Sequence, residues 1–131
     1  MAKKVLIVED YKEFRVMVKN YLETQNLDFQ ISEADSGEMG ILAAVKEKPD
    51  IVLMDIRLPD MNGLEAASEI KKRIPECEII ILTMFETEAF RSVFKSNHIS
   101  AYIGKSELYD KLIPQMKAIL NNREIEKETH G

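Results

Sequence analysis

A chain of 131 residues with 45% hydrophobic and 31% charged content has the makings of one domain around one core, and leaves no room for a second. A net charge of −5, with lysines scattered rather than clustered, argues against a phosphate-gripping nucleic-acid footprint. The amino end is too short in apolar residues for a signal peptide and no run approaches a membrane span. The single Cys77 lacks a Cys or His partner at metal spacing, so a cytoplasmic chain without internal disulfides is expected.

In chain order, apolar runs alternate with segments of helical period. Val5 to Val8 is an uninterrupted apolar run ending in Glu9-Asp10, which predicts a strand buried on both faces with acids at its carboxyl end. Phe14, Met17, Val18, Tyr21 and Leu22 follow at the three-and-four spacing of a helix with one face on a sheet. Phe29 to Ala34 alternates more weakly, as an edge strand would. Ser36 can cap the next helix, whose inner face is expected to carry Met39, Leu42 and Ala43 until Pro49 stops it.

Ile51-Val52-Leu53-Met54-Asp55 is the central stretch, a second doubly buried strand that delivers Asp55 at its carboxyl end. Asp60 to Gly63 reads as a turn, and Leu64, Ala67 and Ile70 open an amphipathic helix that Pro75 ends. Cys77 is filler at the entrance of the next strand, Ile79 to Leu82, which ends in Thr83. Glu86 to Lys95 reads as a helix with Phe90, Val93 and Phe94 inward. Ala101 to Ile103 is a short fifth strand leading to Gly104-Lys105.

Ser106 can cap a last helix with Leu108, Leu112, Met116, Ile119 and Leu120 on one side, in which Pro114 should mark a kink or the true first turn. The domain is expected to span 1–122, and the charged stretch 123–131 reads as a frayed extension, a tail or the start of a linker. His98 and His130 have no partners at useful spacing and read as surface residues.

Five βα units with right-handed crossovers predict an α/β fold: a doubly wound parallel sheet of five strands with five helices, in the order 2-1-3-4-5. That order brings Glu9, Asp10, Asp55, Thr83 and Lys105 to one sheet edge from four strand ends. Three crowded carboxylates repel, and a divalent cation removes the conflict. All-oxygen donors suit Mg²⁺ better than zinc or a calcium cage.

Lysine and hydroxyl then make sense if a phosphoryl group visits, with Asp55 as nucleophile and Thr83 and Lys105 on its oxygens. Asp10 would be a direct metal ligand, the backbone carbonyl of Arg57 another, and Glu9 would hold a metal-bound water.

Glu9-Asp10, Asp55 with Pro59 and Gly63 behind it, Thr83, and Lys105 after Tyr102 resemble the functional set of response-regulator receiver domains of two-component systems, over about Lys3 to Leu120. In finer detail Phe14-Arg15, the run Met54 to Arg57 and Leu82-Thr83-Met84 are similar to receivers fused to a helix-turn-helix DNA-binding domain. The resemblance implies a flavodoxin-like fold, Mg²⁺, a phosphoaspartate at Asp55, and a histidine kinase or phosphotransfer protein as partner. It also implies a regulatory rather than enzymatic role, a Thr83–Tyr102 switch, homodimerisation as one possible output, and transcription control without DNA contact by this domain.

Two residues depart from the pattern. Glu9 stands where Asp is commoner, and Ser106 follows Lys105 where many receivers have a cis proline. A non-proline cis bond costs about 3 kcal/mol, so the isomer here is open. Other readings are a stand-alone receiver, a phosphorylation-independent binding module, and a phosphatase of the haloacid dehalogenase type, which would need an acid where Arg57 stands. Gly104-Lys105-Ser106 imitates the end of a phosphate-binding loop but lacks its first glycine, Ile99 standing there.

Overall fold

In the computed structural model, residues 2–84 and 99–130 are described, the side chains as far as Glu126. Five strands, β1 (Lys3–Val8), β2 (Phe29–Ala34), β3 (Ile51–Asp55), β4 (Glu78–Thr83) and β5 (Ala101–Gly104), form one parallel sheet in the order β2-β1-β3-β4-β5. The helices are α1 (Lys12–Thr24), α2 (Gly37–Glu47), α3 (Gly63–Arg73) and α4 (Leu108–His130), the last preceded by a 3-10 turn, Lys105–Glu107. The helix expected over Glu86 to Lys95, with Phe90, Val93 and Phe94, and the residue His98 lie outside the described residues, as does the side chain of His130.

The apolar runs are continuous because successive side chains feed opposite faces of the sheet, and both faces are covered. Val5, Ile7, Ile51, Leu53, Ile80 and Leu82 pack with Val18 and Leu22 of α1 and Leu108, Leu112 and Met116 of α4. Leu6, Val8, Val52, Met54, Ile79 and Ile81 pack with Ala44 of α2 and Ala66, Ala67 and Ile70 of α3. Cys77 is buried at the entrance of β4, and burial pushes its thiol up to about 12, which leaves it a small apolar filler.

The inner face of α2 differs from expectation. Met39 and Leu42 are 52% and 54% exposed, and Gly37, Gly40 and Ala44 are the buried residues. A Cβ on Gly40 would lie 2.9 Å from both methyl groups of Val8, so the helix comes close to β1 through its smallest residues and its larger ones turn outward. Ser36 does cap this helix, accepting from the Met39 N–H at 3.1 Å. Asp60 adds a second cap from the β3–α3 loop, accepting from the N–H groups of Gly37 at 2.8 Å and Glu38 at 2.9 Å. These N–H groups, Glu38 first, hold the Asp60 carboxyl below its usual range.

Pro114 lies inside α4 rather than in its first turn, and Ser106 falls within the 3-10 turn. The stretch from 123, expected as a frayed extension, a tail or the start of a linker, continues α4 as far as His130. Arg123 reaches the backbone carbonyl and carboxylate of Asp50, each at 3.3 Å, and Lys3 meets Glu124 at 3.3 Å. Among the described residues no helix is long and apolar enough to cross a membrane.

Candidate functional site

Parallel pairing sets the site. With Val8 beside Met54, Asp55 beside Leu82 and Thr83 beside Gly104, the residues that end or follow β1, β3, β4 and β5 emerge at one edge. Carboxylate oxygens of Glu9, Asp10 and Asp55 lie within 4.8 Å of one another. Glu9 is 2% exposed, Asp10 is exposed and Asp55 is intermediate. The Lys105 ammonium is 2.7 Å from Glu9 Oε1 and 3.7 Å from Asp55 Oδ2. Asp55, Arg57, Thr83, Met84 and Lys105 line a cleft of about 320 Å³. Tyr102 stands one strand position into β5, half-buried against the α2–α3 side of the sheet.

The loop behind Asp55 is tightly held. Arg57 and Asn62 form an antiparallel bridge, the Gly63 N–H donates to the Ile56 carbonyl at 2.7 Å, and Asn62 caps α3 by accepting from Leu64 N–H at 2.7 Å. The Lys105–Ser106 bond is trans. Lysine nevertheless reaches the acids, because β5 ends directly beside β4 and the 3-10 turn starts at Lys105 itself.

Glu9 shows what the cluster needs. Its Oε2 is buried with no hydrogen-bond partner among the described residues, and the Asp55 carboxylate beside it is another acceptor, so the two share a hydrogen bond only if one carries a proton. Burial chiefly, then Asp55, push the Glu9 carboxyl up to about 8, against the opposing pull of Lys105. An orphaned buried oxygen among three carboxylates, with no His or Cys among the described residues of the cluster, fits a hard divalent cation.

Two neighbours from α1 carry no signal of a site role in the sequence. The ring of Phe14 lies under the Lys105 ammonium, 4.3 Å from ring centroid to nitrogen. Arg15 donates to the Glu9 carbonyl at 2.7 Å and pairs with Glu33 of β2 at 3.1 Å, fixing the backbone of the acid pair. Helical period places Phe14 on the inner face of α1 and says nothing about a cation arriving from 91 positions later (105 − 14).

The sequence model of the response regulator receiver domain matches residues 5–117. The response regulator protein VraR of Staphylococcus epidermidis is 38% identical over 108 residues, covering 81% of this chain and 51% of that protein. The chain thus spans about half the length of such curated relatives. A CheY-like receiver domain protein from Methanospirillum hungatei superposes with a TM-score of 0.87 at 26% identity, covering 96% of this chain and 99% of that one. A LuxR-family two-component response regulator from Aurantimonas gives 0.84 at 26% identity, covering 93% and 87%. With sheet order, acidic edge and sequence all in agreement, this chain belongs to the response regulator receiver domain family.

Proposed function

We propose that the domain accepts a phosphoryl group on Asp55 from a histidine kinase or phosphotransfer protein, and that the modification resets a partner-binding or self-association surface that controls transcription. The observation that carries this reading is the convergence of three carboxylates within 4.8 Å beside a lysine 3.7 Å from Asp55. An Asp55 oxygen attacks phosphorus as the bond to the donor nitrogen breaks, and the donor imidazole leaves with the electron pair. Lys105 takes one phosphoryl oxygen, and the hydroxyl of buried Thr83 donates to another.

Asp10, Asp55 and the Arg57 carbonyl would hold Mg²⁺, with Glu9 completing the set, and the bound ion would offset the charge of the phosphoryl oxygens. The acceptor is then a regulatory group rather than a turnover catalyst, with slow self-phosphorylation from small donors. Movement of Thr83 toward the phosphoryl group would open space for Tyr102 to turn inward, a shift between two pre-existing states.

Intact mass after incubation with Mg²⁺ and acetyl phosphate tests the acceptor. The wild type should gain one phosphate and Asp55→Asn none; an undiminished adduct in the variant removes Asp55 from this role.

The cation is tested without activity. Millimolar Mg²⁺ should raise the melting temperature, since a ligand binding only the folded state stabilises it, by about 2.7 kcal/mol at a hundredfold excess over Kd. Asp10→Ala should lose most of the gain. Equal melting in EDTA and in magnesium would exclude a cation at this cluster.

A further inference from the structure

The Lys105 side chain is 17% exposed, has four rotatable bonds, and faces two competing anions at 2.7 Å and 3.7 Å. Attraction to carboxylates alone does not fix an ammonium among them, because it is non-directional and can be met at either. The Phe14 ring supplies a third wall, with the nitrogen 4.3 Å from its centroid, inside the range where the negative face of an aromatic ring attracts a cation. The ring is itself half-buried and leans on the core. Phe14 packs into the cluster of α1, α4 and the sheet, one turn ahead of buried Val18.

We infer that Phe14 is a positioning residue for Lys105: its ring face holds the ammonium between Glu9 and Asp55, so the cation is in place before a phosphoryl group arrives. This role rests on the reading of Asp55 as the phosphoacceptor. Packing alone would be served equally by leucine at position 14; what leucine lacks is the ring's quadrupole. A seat that holds the ammonium between the two acids leaves it only a short swing from its present bias toward Glu9 to an oxygen on Asp55.

The test separates ring electrostatics from ring shape. Phenylalanines carrying increasing numbers of fluorines, placed at position 14 alone, keep the shape while draining the negative potential of the face. With Mg²⁺ and acetyl phosphate, the rate of adduct formation should fall stepwise, about three- to tenfold in all, while the Mg²⁺ affinity measured by calorimetry stays constant. A second readout needs no phosphate: the ε-methylene protons of Lys105 should be shifted upfield by the ring in the wild type and return to ordinary values in Phe14→Leu.

Rates indifferent to fluorination, or Mg²⁺ affinity falling in step with them, would overturn the role. Ordinary ε-methylene shifts in the wild type would do the same. Asp55→Asn run alongside keeps the two readings apart, for an adduct persisting there defeats the phosphoacceptor reading and leaves Phe14 to be judged by the proton shifts alone.

Discussion

Gly63→Ala should destabilise the domain by about 3 kcal/mol or more, even though alanine is the better helix former. Gly63 opens α3, where propensity alone would credit the substitution with up to about 1 kcal/mol of stabilisation. The steric argument has the opposite sign and the larger size. A Cβ at this position would press into the Asp55 carbonyl oxygen, with Asp55 C at 2.8 Å and Ile56 Cα at 2.9 Å. Those are backbone atoms at the end of the central strand, so no rotamer change relieves the contact. Either β3 or the start of α3 must shift, and the Gly63–Ile56 hydrogen bond of 2.7 Å goes with it. Urea denaturation of wild type and variant measures the difference, and a loss below about 1 kcal/mol would mean that the loop yields more readily than this geometry allows. Because the displaced atoms belong to Asp55, stabilisation by magnesium should shrink in the same variant.

Without metal, stability should fall as pH rises from about 4.5 to about 8, the ordinary and the raised values for Glu9. Across that window the folded state holds a proton that the unfolded state has released, so the unfolding free energy decreases with pH, by at most about 1.4 kcal/mol per unit. The contribution is fully present below the lower value and is gone above the higher one. Burial and the neighbouring Asp55 carboxylate hold that proton on Glu9, and Lys105 at 2.7 Å blunts the slope without reversing it.

Asp60 titrates below this window and Cys77 above it, and the comparison with Glu9→Gln cancels what Glu9 does not cause. Glu9→Gln should flatten the difference, and magnesium should flatten it in the wild type by favouring the ionised acids. Parallel pH profiles for wild type and Glu9→Gln in EDTA would show that Glu9 is ionised throughout.

Much of this molecule is legible because it is parallel. Runs such as Val5 to Val8, Ile51 to Met54 and Ile79 to Leu82 are apolar at every position only when both faces of a strand are covered, and that topology sends each strand's last residue to a common edge. Glu9, Asp10, Asp55 and Lys105 could therefore be gathered from separate stretches without coordinates.

Helix α2 resisted for a different reason. Ile41, Ala43 and Ala44 on one side and Met39, Leu42 and Val45 on the other are all apolar, so period does not choose between them. The choice falls to how closely Gly40 lets the helix approach Val8. The charged end of α4 read as a tail because its anchors, Asp50 and Lys3, are remote in sequence. Phe14 was legible as core and illegible as a seat for Lys105, since a helical period reports which way a side chain faces and not what comes to rest on it.

Among the described residues the sheet divides the interior into two compartments that share a backbone but no side chains, one served by α1 and α4, the other by α2 and α3. Substitutions in different compartments act through separate sets of neighbours, so their effects should add, whereas two in one compartment compete for the same space. One outer layer can thus drift toward a new docking partner while the other keeps its own, and neither need disturb the strand ends between them. A lineage built on this plan can multiply its connections without renegotiating its chemistry.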